Sequence, residues 1–172
     1  MPSNIFQAHN FSSMPINSNK AVTTKTTFSR TTSIEINIQA NKTIVWNLLT
    51  NVEDFSRWNS TIISLEGEIQ EGKKIQLKST TDPSRTFNLK VHTVQAEKSM
   101  IWSDGMAPFF KGVRKYQLMD NPDGSVTFSM QERLAGIFFA LAAKHIPSFD
   151  APFEQFAADL KQEAELLQQT KK

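Results

Sequence analysis

The chain has 172 residues with a formal net charge of +2, a length that suits one domain able to bury roughly 70% of its unfolded surface around a single core. The excess charge sits in the first thirty residues, where Lys20, Lys25 and Arg30 meet no acid, which leaves 16 bases against 17 acids in the remainder; so neutral a body lacks the clustered Lys and Arg that phosphate neutralisation needs, and no nucleic acid is expected as a partner. The absence of cysteine excludes disulfides, thiol nucleophiles and thiolate metal sites, and no apolar run reaches the roughly 18 residues of a membrane span, so no stable membrane insertion is expected.

Residues 1–30 are rich in Asn, Ser and Thr and hold no sustained period of 3.6 or 2. They read as a flexible N-terminal tail, with docking through Ile5, Phe6 and Phe11 as the alternative. The N-terminus lacks the continuous apolar core of a secretory signal, so a cytoplasmic location is expected. A single domain is expected over 31–169. It opens with "TTSIEINI", which puts Ile34, Ile36 and Ile38 on one face of a strand and Ser33, Glu35 and Asn37 on the other. Asn41 is a suitable N-cap for "KTIVWNLLT", whose Ile44, Val45, Leu48 and Leu49 form one apolar stripe. A short helix follows, with Val52, Phe55 and Trp58 at spacings of three.

Two strands, "IISLEGEIQ" and "KIQLKS", come next, joined near Glu71 and Gly72. In "TFNLKVHTV" the residues Phe87, Leu89 and Val91 alternate with Asn88, Lys90 and His92. The strand "SMIWSD" leads into a long hairpin closed by Asn121-Pro122-Asp123-Gly124, where Pro fixes one corner and Gly tolerates the left-handed position at the other. Tyr116 and Leu118 share the apolar phase with Val126, Phe128 and Met130. That register sets Asp120 opposite Val126 or a close neighbour and Arg114 opposite Glu132. On an apolar face two such charges are expected to pair, since either alone would be costly. Pro147 and Pro152 must lie at or near helix starts. The C-terminal third is therefore expected to divide into an apolar segment, "GIFFALAAKHI", and a helix over 149–169 with Phe149, Phe153, Phe156, Leu160, Ala164 and Leu167 in one stripe.

Catalytic signatures are sparse. His9, His92 and His145 are far apart and none has ligand spacing with another, so no metal site and no cofactor are expected. There is no GxSxG, GxGxxG or phosphate-binding glycine loop. His92 falls on the polar phase of its strand and reads as a solvated surface residue. His145 reads as a helix-end histidine whose charge suits the dipole there, with ligand contact as the lesser alternative.

The pieces "SIEINIQANKTIVWNLLTNVEDFSRWNSTI", "LEGEIQEGKKIQL", "KVHTVQAEKSMIWS" and "FSMQERLAGIF" resemble, in order and spacing, the START-like (SRPBCC) superfamily, particularly its bacterial polyketide cyclase/dehydrase-type branch. Trp46, Trp58-Asn59, Trp102 and the stretch from Glu132 to Gly136 carry the likeness. It implies an α+β helix-grip (START/Bet v 1-like) fold, a curved antiparallel sheet wrapped around a long C-terminal helix. It also implies an apolar cavity between them, in a superfamily that includes lipid and quinone carriers, allergens holding hydrophobic ligands, aromatase/cyclases and chaperone activators. The expected cavity wall comprises Trp102, Tyr116, Phe128, Met130, Phe153 and Phe156, with Phe55 and Trp58 anchoring the short helix, the Trp58 indole edge and Asn59 at the rim, and Arg114 and Glu132 as its polar groups. Relatives commonly carry an aromatic or imidazole group where Arg114 stands, which weakens any carry-over of a catalytic role.

The expected function is binding or transport of a small hydrophobic ligand by a monomer or weak dimer. One alternative is a polyketide cyclase/dehydratase-like enzyme with proton transfer by Arg114, Tyr116 and Glu132. Another is an interaction module in which Gly136 to Ile146 meets a protein or membrane surface.

Overall fold

The structure is a computed structural model and describes residues 19–170. Eight antiparallel strands make one sheet: β1 (Val22–Thr26), β2 (Ser29–Ile38), β3 (Ile62–Gly67), β4 (Lys74–Ser79), β5 (Asp82–Gln95), β6 (Ser99–Met106), β7 (Phe110–Asp120) and β8 (Val126–Ala135). Their order across the sheet is β1-β2-β8-β7-β6-β5-β4-β3. The helices are α1 (Lys42–Thr50), α2 (Phe55–Trp58), α3 (Phe139–Ala142) and α4 (Asp150–Thr170), with single 3-10 turns at Val52–Asp54 and Ala143–His145.

Local chemistry accounts for the elements. Asn41 caps α1, its Oδ1 accepting from the Ile44 N–H at 3.0 Å, and α1 buries Ile44, Val45, Trp46, Leu48 and Leu49. Gly124, at φ +82°, closes the β7–β8 hairpin as the left-handed corner. There Asp120 stands opposite Val126 and Arg114 opposite Glu132, the register that the alternation implied.

The long helix α4 lies across the sheet and is latched along its length. The Lys161 ammonium donates to the Asn37 carbonyl at 2.6 Å. Asp159 accepts from the Ser60 backbone and hydroxyl, each at 2.7 Å, and Glu163 accepts from Arg57 at 2.7 Å. Phe153, Phe156, Ala157, Leu160 and Ala164 are its buried face. The apolar phases of β2, β4, β6, β7 and β8 meet them in one core that also takes in α1 and α2.

The N-terminal boundary expected from the sequence is corrected. Residues 22–26 form β1, and β2 begins at Ser29, so Lys25 and Arg30 belong to the sheet and Phe28 to the turn between its first two strands, rather than to a tail. Polar contacts explain the order. Glu154 of α4 accepts from the Ala21 N–H at 3.1 Å and from Lys20 at 3.1 Å, and Asp150 accepts from the Thr23 hydroxyl. The expectations placed on Ile5, Phe6, Phe11 and His9 lie outside the described residues.

Candidate functional site

A cavity of about 170 Å³ opens between the strands β4 to β8 and the segment that leads into α4. Its apolar wall includes Leu77, Phe87, Leu89, Trp102, Phe110 and Phe149. Phe87 and Leu89 reach it because β5 alternates, which sends odd-numbered residues inward. Its ionisable groups are Asp82, Arg85, Asp104, Arg114, Glu132 and His145.

Arg114 and Glu132 form the pair expected of them. The Arg114 Nε donates to Glu132 Oε2 at 2.6 Å and Nη2 donates to the same oxygen. Their side chains are 19% and 14% exposed. Arg114 also lies over the Phe153 ring, 5.3 Å from its centroid. Burial alone would lower the guanidinium pKa, but the Glu132 charge and hydrogen bond outweigh it and hold Arg114 protonated. The Tyr116 hydroxyl is buried beside Arg114 without a well-aligned partner. Burial pushes its pKa up to about 12, only partly offset by the guanidinium.

Asp104 is the group that the sequence reading passed over, although it continues the inward phase of Met100 and Trp102. It faces Gly112 on β7. Gly112 leaves room for the carboxyl in this position, since a Cβ there would stand 2.4 Å from Asp104 Oδ1 and push that side chain aside. Burial pushes the Asp104 carboxyl above its usual range, and the negative field of Glu132 adds to this, tempered by Arg85. A carboxyl raised in the folded state destabilises the fold once pH climbs past its unfolded value, and it ceases to do so when protonated in both states. Asp104→Asn is therefore expected to raise the melting temperature at neutral pH. The gain should vanish as pH falls below the carboxylate range in a calorimetric pH series.

Arg30 builds the mouth. Its Nη1 and Nη2 donate to the carbonyls of Ile146 and Pro147 at 3.2 and 2.8 Å, and its guanidinium covers the Phe149 ring at 4.7 Å. This strap holds Ile146, Pro147 and Phe149, which line the cavity.

The expected site residues divide into three groups. Trp102, Arg114 and Glu132 stand on the cavity wall. Met130, Phe153 and Phe156 meet Arg114 around an adjoining recess of about 20 Å³. Phe55, Trp58, Asn59, Tyr116 and Phe128 reach neither and belong to the packed interior. This corrects the cavity rim expected at the Trp58 indole edge and Asn59 and the wall expected at Tyr116 and Phe128. Phe55 and Trp58 pack at 4.8 Å between ring centroids, and Phe156 lies 6.0 and 5.9 Å from them. Asn59 is 1% exposed and serves the backbone, its Oδ1 accepting from the Thr61 N–H at 3.1 Å. His145, read as a helix-end residue, ends its 3-10 turn and also lines the cavity. His92 sits on the outer face as expected but is half-buried, with Nε2 2.9 Å from the Ser103 hydroxyl.

Among the described residues no group of three His, Asp or Glu side chains could hold a metal ion, and no helix is long and apolar enough to cross a membrane.

No protein-family model matches the chain, and no curated protein sequence does. Solved structures do match it. A START superfamily protein from Mycobacterium smegmatis superposes with a TM-score of 0.59 at 13% identity, over 80% of this chain and 98% of that one. Ara h 8.0201 superposes with a TM-score of 0.56 at 12% identity, over 83% and 99%. DynU16, a putative protein of the dynemicin biosynthetic locus, gives 0.58 at 14% identity; the match covers 79% of this chain but only 47% of DynU16. At such identities the likeness shows the fold alone, a START/Bet v 1-like helix grip.

Proposed function

We propose that the chain binds a small lipophilic molecule in the cavity between the sheet and the start of α4. The observation that carries this reading is a mainly apolar cavity, open at a mouth strapped by Arg30, with a few convergent polar groups at one side. A volume of about 170 Å³ is close to that of dry apolar cavities of roughly 150 Å³ that accept a benzene ring. The ligand class is therefore a compact aromatic or short aliphatic molecule. Arg114 is occupied by Glu132, so the ionisable groups left to meet a polar substituent are Asp82, Asp104, Arg85 and His145. A hydroxyl or amine on the ligand would suit Asp104.

An apolar naphthylamine dye is expected to bind the native chain saturably at one site. Leu89→Trp, which fills the cavity from β5, should weaken that binding by roughly tenfold or more while the fold persists. Dye binding that never saturates, or that ignores the substitution, would show that the cavity is not the site.

A second reading is favoured by Asp104 alone. A half-buried carboxyl with a raised pKa holds its proton more readily than a free one and can exchange it with a bound substrate, and a cyclase or dehydratase acting on a polyketide-like molecule would use such a group. A bound molecule recovered chemically unchanged, from wild type and Asp104→Asn alike, would exclude it.

A further inference from the structure

Beside the cavity mouth the molecule presents an apolar surface. The described residues expose ten large apolar side chains, and six of them, Phe28, Met106, Phe109, Ile137, Phe138 and Leu141, lie in three segments joined at this end. The Gly136 N–H donates to the Phe28 carbonyl at 3.1 Å, that of Ile137 to Pro108 at 2.9 Å and that of Phe138 to Phe109 at 3.0 Å. The rings of Phe109 and Phe138 stack at 5.7 Å. Gly136 permits the join, because at φ +145° a Cβ would stand 2.2 Å from the Phe109 carbonyl oxygen. Phe139 turns the other way. It is buried and stacks on Phe110 of the cavity wall at 6.4 Å. The segment is thus anchored by one ring while its neighbours face outward, Leu141 at 73% exposed.

Charge decides what suits this face. The sequence as a whole is nearly balanced, yet the three stretches that carry the patch, 19–34, 105–119 and 133–149, contain no Asp or Glu. Lys25, Lys111, Arg133 and Lys144 lie in them, and none forms an ion pair among the described residues. Rings and aliphatic side chains that enter the interfacial layer, with Lys and Arg around them to meet anionic headgroups, are what peripheral lipid binding requires. The geometry points to this face as a docking site for the surface of an anionic membrane, engaged reversibly from one side without insertion of a span. Phe110, with Phe139 behind it, and the strap at Ile146 and Pro147 make the docked face continuous with the cavity mouth. The inference rests on the face itself and stands whether or not the cavity is occupied.

The test is cosedimentation of the full-length chain with vesicles, either phosphatidylcholine alone or equal parts phosphatidylcholine and phosphatidylglycerol. Binding to the mixed vesicles, absent with phosphatidylcholine alone and suppressed by salt, is expected. The double variant Phe138→Glu with Leu141→Glu should partition at least about tenfold more weakly. Lys111→Gln with Lys144→Gln should weaken it by roughly tenfold or more. Melting temperature and dye binding should be unchanged in both, which separates this site from the cavity. No binding by the full chain, or binding indifferent to both pairs of substitutions, overturns the proposal. So does a dimer in sedimentation that Leu141→Glu dissolves, because the occupant would then be a second copy.

Discussion

Arg114→Met alone, or Glu132→Gln alone, is expected to destabilise the fold by about 3–5 kcal/mol, because either leaves a desolvated charge or its hydrogen-bonding groups without compensation. The two residues face each other across β7 and β8, share hydrogen bonds through one carboxylate oxygen, and are both largely buried. The double variant should lose far less than the sum of the single losses, since an apolar side chain and a neutral amide take the place of two charges that needed each other. Urea denaturation of the four proteins measures the coupling. Additive losses would mean that the pair contributes nothing as a pair. Dye binding adds a second readout: if the pair only closes the inner end of the cavity, the double variant should still bind an apolar dye.

Phe156→Ala is expected to cost about 3–5 kcal/mol, the range for removing a buried aromatic ring without full collapse of the space. Phe156 stands at the centre of a ring cluster, 6.0 Å from Phe55, 5.9 Å from Trp58, 6.1 Å from Tyr116 and 6.2 Å from Phe128. Its loss opens a void where α4 meets α2 and the sheet. For a domain of this size that loss corresponds to a fall in melting temperature of roughly 10 °C. Thermal unfolding checks it. A fall of only a degree or two would show that the cluster is loosely packed, and the distinction between core and cavity would then fail.

How much was legible in the sequence follows from what each residue must satisfy. The β7–β8 hairpin could be registered because its turn is chemically specific and its apolar phases agree, and Arg114 was thereby set against Glu132. The division of the last third followed from Pro147 and Pro152, which are tolerated only before a helix or in its first turn, where Pro152 lies. β1 was not legible. Its sequence, "VTTKT", has no apolar phase, and on this edge strand only Thr23 is partly buried. What fixes it are Asp150 and Glu154, more than a hundred residues away in the chain.

The candidate site was legible in part, for a related reason. Alternation told which side chains face inward, but not which part of the interior is filled. Phe55 and Trp58 pack together, as do Tyr116 and Phe128, with Phe156 between the two pairs, and the space remains nearer the mouth, where Phe87, Leu89, Phe110 and Phe149 stand. Asp104 could have been found, since a carboxylate on the apolar phase two residues after Trp102 carries the same signal as Arg114. Arg30 could not, because its role depends on carbonyls of a loop that the sequence does not pattern.

The most direct measurement of the central claim is native mass spectrometry of the full-length chain purified without detergent, alongside Leu89→Trp. The account predicts a compact apolar molecule bound one-to-one to the wild type, released on denaturation, and absent from the folded Leu89→Trp variant. Wild-type protein that carries no molecule and takes up none from a mixture of small aromatic and aliphatic compounds would contradict it, as would a ligand retained equally by Leu89→Trp.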